Sequence, residues 1–259
     1  MWKFAKASVQ GTSHQKAGVP CQDHCFVEEL KIFDREYLVA IVADGAGSAL
    51  KGGEGASLIC RHLVEIIKKN YDYAKIKDTK KFVYEKIIYP LKKELQKQAI
   101  GDGLKEKDYA STLLCAIISK DDYLFFQIGD GAIVVEHNGI FGLVCDIKNG
   151  EYINSTYFVT QEHVEKYLQV WSEKESYNLY PDAHNKINFT SLYLCTDGIQ
   201  IISINLKEMR PHDKFFAYIS NLIKYDNVDN KRLENFLDSV LVNERTDDDK
   251  SIVIAVTAE

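Results

Sequence analysis

The chain has 259 residues, of which 46% are hydrophobic and 27% charged, and a formal net charge of −6. This is globular usage; it argues against extended disorder and gives no sign of the basic stripe that nucleic-acid binders carry, so no nucleic-acid partner is expected. The start, MWKFAKASVQ, lacks the apolar core of a signal peptide, and no apolar run approaches the ~18 residues needed to span a bilayer, so no membrane partner is expected either.

A first strand is expected over 6–10. Strands at 25–30 and 37–43 form a pair across the polar turn at Asp34 and Arg35. A helix follows over 55–70, with Ala56, Ile59, Leu63, Ile66 and Ile67 at helical spacing. A second helical segment starts near Thr79 and is interrupted or restarted at Pro90. Strands at 111–119 and 123–129 flank Lys120, Asp121 and Asp122. Strands at 133–136 and 140–144 flank Asn138-Gly139, a strong hairpin signal. Further strands are expected at 158–160, 191–196 and 251–257, and helices at 213–224 and 230–242.

Hairpin connections exclude a simple parallel βαβ series and point to an α+β fold, antiparallel sheets with helices grouped outside them. Four prolines and no low-complexity linker favour one domain over 1–259. The six cysteines form no C-x-x-C pair, and Cys60, Cys115 and Cys195 sit in apolar runs. That usage fits a reducing, cytoplasmic setting.

Three apolar runs end on Asp-Gly: VAIVADGAGSAL at Asp44, LFFQIGDGAI at Asp130 and SLYLCTDGI at Asp197. Asp247, Asp248 and Asp249 directly precede the last apolar strand, and Asp23 precedes another. Strands covered on both faces are apolar throughout, so an acid at the last residue sits at the sheet rim. Glycine beside it is expected to allow positive φ and bring a carbonyl near a ligand. Gathered carboxylates raise one another's pKa, a cost that a hard divalent cation removes. Two such ions about 4 Å apart can activate water and clamp a phosphoryl group. Each Asp-Gly taken singly is also a common turn pair, and the acidic run also fits a solvated loop. The repeated abutment of an apolar run on an acid favours an acidic metal site with hydrolytic chemistry.

Six segments in order, GTSHQKAGVPCQD, VADGAGS with GGEGAS, YASTLLCAII, FQIGDGAIVV, LYLCTDGI and DDDKSIVIAV, resemble the PP2C family of metal-dependent protein phosphatases, in its compact bacterial form. The resemblance implies a four-layer α-β-β-α sandwich, two antiparallel sheets flanked by helix pairs. It implies hydrolysis of phosphoserine and phosphothreonine in protein substrates by a water bridging two Mg²⁺ or Mn²⁺ ions, with a third ion possible. By the same resemblance Asp44 would bridge the metals and the Gly45 carbonyl would bind one of them. Asp197 and Asp248 would bind the other, Asp23 would hold their waters, and Asp130 with Asp197 would form the third site. Asp247 competes with Asp248, which has the motif's spacing to Ser251. A variable flap is implied within about 144–190, and a monomer is expected.

Three positions depart from the family pattern. No arginine precedes Asp23 in KAGVPCQD, which leaves His14 and Lys16 as the nearest cations for the substrate phosphate or leaving group. Gln22 stands where many relatives have an acid. Ala46 stands where some have a histidine proposed as general acid. Ser111 and Thr112, with no base identifiable nearby, are expected to support neighbouring loops. Two other functions stay open: a PP2C-like pseudoenzyme that signals by docking, and a metal hydrolase of small phosphoesters.

Overall fold

The computed structural model describes residues 2–147, 156–173, 188–225 and 229–258. In chain order the elements are β1 (Trp2–Val9), α1 (Thr12–Ala17), β2 (Asp23–Ile32), β3 (Arg35–Asp44), α2 (Gly52–Asn70), α3 (Thr79–Phe82) and α4 (Tyr89–Gly101). Then come β4 (Leu113–Ile118), β5 (Tyr123–Ile128), β6 (Ala132–His137), β7 (Ile140–Leu143), β8 (Gln169–Ser172) and β9 (Ser191–Cys195). The chain continues through α5 (Gln200–Ser203), β10 (Ile204–Asn205), β11 (Arg210–Pro211), α6 (Asp213–Tyr225), α7 (Asn230–Leu237), α8 (Val240–Asn243) and β12 (Lys250–Thr257).

Two five-stranded antiparallel sheets form, in the orders β1-β12-β9-β6-β7 and β2-β3-β4-β5-β8. Side chains alternate between two covered faces, which explains why central strands such as β4, β5 and β9 are buried throughout. On β3, Leu38, Ala40 and Val42 face the core between the sheets, while Val39, Ile41 and Ala43 face the core under α2 and α4. On β12, Val253 and Ala255 face inward, and Ile252, Ile254 and Val256 pack with Phe216, Ile219 and Leu233 of α6 and α7. Three cores therefore separate four layers, as expected.

Several boundaries moved. The first strand starts at Trp2, because all eight of its residues pair with β12. Residues 158–160 are not a strand; Val159 instead donates its N–H to the Ser111 carbonyl at 2.9 Å. The edge strand there is β8, with Trp171 opposite Phe125. Pro90 sits in the first turn of α4, behind a π-helical turn over Val83–Ile88, so it restarts the helix without ending it. The helix expected over 230–242 divides at Ser239, whose extended backbone opens α8. Asn138 (φ 51°) and Gly139 (φ 76°) make the tight turn as expected. Of the flap interval, residues 148–155 and 174–187 lie outside the described residues.

Candidate metal centre

Strand register brings the acids to one end of the sandwich. Asp23, first in β2, pairs directly with Asp44, last in β3. Cys195 at the end of β9 pairs with Ala132 of β6 and Ile252 of β12. That places Asp197, Asp130 and the loop before Lys250 at one rim.

Asp44 is braced through its backbone. The Ser111 hydroxyl and the Thr112 N–H donate to its carbonyl at 2.7 and 2.8 Å, and its own N–H donates to Thr112 Oγ1 at 3.0 Å. Ser111 and Thr112 thus support the rim, as the sequence suggested. Asp23 is 2% exposed. Its Oδ2 accepts from Thr196 Oγ1 at 2.9 Å, and that hydroxyl in turn accepts from the Ser251 N–H. Sequence reasoning missed Thr196; its only signal is its place just before Asp197.

The electrostatics are those of crowded, desolvated carboxylates. Burial pushes Asp23 up to about 8, eased by the Thr196 hydroxyl and worsened by Asp249 and Asp197. Burial, then Asp23, Asp197 and Asp248, lifts Asp44 well above the usual carboxylate range. Burial, then Asp130 and Asp248, lifts Asp197 to about 6, and burial raises Asp130. No basic side chain is among the leading influences on these four acids.

Do these residues fit a divalent cation? Asp23 Oδ1 and Gln22 Oε1 are buried acceptors with no hydrogen-bond donor. An acceptor-only cluster without a counter-charge suits a hard cation. Among the described residues no three His, Cys, Asp or Glu side chains close a ligand shell by themselves. The fit rests on the crowded acceptors and not on a closed ligand shell; water would have to complete a Mg²⁺-type coordination. The residues present therefore fit.

One glycine serves as expected, Gly129 beside Asp130 with φ 111°, while those after Asp44 and Asp197 serve differently. Positive φ occurs at Gly18, Gly103, Gly129 and Gly139, and not at Gly45 or Gly198. Close approach explains those two. A Cβ on Gly45 would lie 2.3 Å from the Gly52 carbonyl carbon, and one on Gly198 would lie 1.9 Å from the Asp249 carbonyl oxygen.

Of the acidic run, Asp248 is exposed at the rim and adds its charge to Asp44, Asp197 and Asp130. Asp247 uses its carbonyl to hold Ser13 N and Oγ. Asp249, to which the sequence assigned no role, is buried. Its Oδ1 accepts from Gly11 N at 2.6 Å, and its Oδ2 accepts from Gln22 N at 2.6 Å and His14 Nδ1 at 2.8 Å. His14 thus lies beside the rim on α1, whereas Lys16 is exposed. Lys250 is fully buried and ties Asp248 O to Asn243 Oδ1.

The frame is thus a helix-flanked double sheet with a crowded acidic rim suited to hard cations. A sequence model of protein phosphatase 2C matches residues 10–238. A protein of Escherichia coli (strain K12) named serine/threonine-protein phosphatase 3 is 33% identical over 264 residues, spanning 100% of this chain and 99% of that protein. Among solved structures, the S. agalactiae serine/threonine phosphatase superposes with a TM-score of 0.67 at 12% identity, covering 100% of both chains. The catalytic domain of the serine/threonine protein phosphatase PstP, in complex with 2 manganese ions, gives a TM-score of 0.62 at 12% identity, over 100% of this chain and 99% of that one. The chain belongs to the protein phosphatase 2C family, whose members are metal-dependent. Among the described residues no helix is long and apolar enough to cross a membrane.

Proposed function

We propose that the protein hydrolyses phosphoserine and phosphothreonine esters of protein substrates with Mg²⁺ or Mn²⁺ held at the acidic rim. One observation carries the reading: the carboxylates of Asp23, which is buried, and of Asp44 and Asp197, which are half-buried, crowd one another with no basic side chain among their leading influences. Asp44, the Gly45 carbonyl, Asp197 and Asp248 would hold two ions, Asp130 with Asp197 a third, and Asp23 the surrounding water. Ions bound there would make water a usable nucleophile near neutral pH and draw charge from the phosphoryl oxygens.

The chain's own residues keep that site in order. Ser111 and Thr112 fix the backbone that aims Asp44. Thr196 orients Asp23. Asp249 binds the N-terminal segment to the rim, which holds His14 beside it.

The test is phosphate release from a pool of phosphoserine, phosphothreonine and phosphotyrosine peptides. Release from the serine and threonine peptides with Mn²⁺, lost in EDTA and in Asp197→Asn, is the expected result. Silence of the parent in every condition would instead favour a docking role.

A further inference from the structure

The fold leaves one chemical need of this reaction without an evident owner. When the phosphorus–oxygen bond of a phosphoserine breaks, its electron pair goes to a seryl oxygen, a strongly basic leaving group that needs a proton. The residue after Gly45 is Ala46, whose methyl group can supply none. The carboxylates are needed as ionised cation ligands.

His14 has the setting of an acid. It lies on α1, and that helix is fastened to the loop before β12 at several points. Ser13 N and Oγ donate to the Asp247 carbonyl at 2.9 and 2.6 Å, and Gly11 N donates to Asp249 Oδ1 at 2.6 Å. The ring's Nδ1 donates to Asp249 Oδ2 at 2.8 Å. Asp249 is only 3% exposed and the His14 side chain 22%, so the buried end of the pair is the carboxylate and the open end is the imidazole. A carboxylate on Nδ1 fixes the tautomer and the ring plane, and leaves Nε2 as the nitrogen that exchanges protons. The same Asp249 oxygen takes the Gln22 N–H, one residue from Asp23, and Asp249 itself follows Asp248. The imidazole is therefore anchored between two of the strand ends that carry the acidic rim. His24 differs: it is exposed and its Nδ1 bonds its neighbour's carbonyl, Asp23 O, at 2.8 Å.

We infer that His14 is the proton donor to the leaving seryl or threonyl oxygen, and that Asp249 is the positioning residue that aims it. In the step, an attacking water forms the new bond to phosphorus and the ester bond breaks. The proton on His14 Nε2 passes to the departing oxygen, which leaves as the alcohol. The imidazole, still donating Nδ1–H to Asp249, regains a proton equal to the one the attacking water releases. The inference rests on the phosphatase reading above.

The test separates leaving groups. His14→Asn keeps a donor for Asp249 and removes Nε2. Its kcat on a phosphoserine peptide should fall about 100-fold or more, within the range known for general acids. On p-nitrophenyl phosphate, whose phenolate leaves without help, its kcat should stay within about fivefold of the parent, since only proton transfer is lost. Inorganic phosphate, titrated calorimetrically into the Mn²⁺-treated protein, should bind the variant and the parent alike. Asp249→Asn should reproduce the split between the two substrates, which a merely loosened fold would not. If that variant fails to fold, His14→Asn, on a partly exposed helix, still decides. Equal losses on both substrates together with weakened phosphate binding would overturn the inference and make His14 a phosphate grip; an unchanged rate on the peptide would overturn it too. A parent inactive on every peptide would sink the phosphatase reading instead, so the two failures are distinct.

Discussion

Replacing Asp23 by asparagine should stabilise the cation-free protein while weakening its hold on cations. Asp23 is 2% exposed, sits directly across the ladder from Asp44, and keeps one oxygen with no donor. Its carboxyl titrates near 3.8 in the unfolded chain and is pushed up to about 8 in the fold by burial. Between those values the folded state retains a proton that the unfolded state has shed. Stability therefore falls as pH rises from about 4 to 8, and the full penalty is present above 8. At about 1.4 kcal/mol per pH unit the ceiling is about 6 kcal/mol. Desolvation is the largest part of that cost and an amide escapes it, while Asp44 and Asp197 keep theirs, so about half of the ceiling is taken as the recovery. The amide introduced by the substitution can also donate towards Asp44. A gain of about 3 kcal/mol corresponds to a rise in Tm of about 6–12 °C for a chain of this size. Thermal melts in EDTA should show Asp23→Asn above the parent at pH 8, with the gap closing towards pH 5. Added Mn²⁺ should raise the parent more than the variant. A variant melting at or below the parent in EDTA at pH 8 would refute the reasoning.

Two further substitutions probe the frame around the rim. Gly198→Ala would set a Cβ 1.9 Å from the Asp249 carbonyl oxygen, and the start of β12 would have to shift; a loss of about 2–3 kcal/mol in chemical denaturation is expected, together with lost phosphatase activity. Thr196→Val keeps the volume but removes the hydroxyl that bonds Asp23 Oδ2 and Ser251 N; about 1–3 kcal/mol should be lost for each group left unpaired, and a variant as stable as the parent in urea would show that the hydroxyl is dispensable.

The parts of the fold governed by local pattern were legible. Asn138-Gly139 could only be a tight turn between apolar alternations, and strands buried on both faces show as unbroken apolar runs, as β3 does. The acids were legible because each stops such a run. What was illegible depends on distant chain. Asp249 reads as one of three equivalent acids, and its separation from Asp248 is made by partners such as His14, 235 positions away. Gly45 and Gly198 were rightly singled out for the wrong reason. A sequence suggests torsional freedom, whereas their actual need is the approach of the backbones of Gly52 and Asp249. The edge strand β8 was missed because its four residues are only partly buried for the most part and show little alternation.

The placement of the acids ties the proposed cation binding to the cohesion of the sandwich. Asp23 and Asp44 belong to one sheet, while Asp197 and Asp248 flank strands of the other. Their mutual repulsion therefore acts across the gap between the sheets, at the end where the inner core stops. On the same rim Asp249, next to β12, accepts from Gln22 N at the mouth of β2; this hydrogen bond ties the two sheets together, although the Asp249 charge itself adds to the repulsion on Asp23. A cation shared by Asp44 and Asp197 would turn the repulsive seam into an attractive one. Binding of that kind stabilises the folded state by mass action, by about 2.7 kcal/mol at a cation concentration one hundred times the Kd. The cation-free protein should then open first along this seam, with the three apolar cores intact behind it. On the proposed reading, the charge that destabilises the cation-free fold is the charge that would hold the ions.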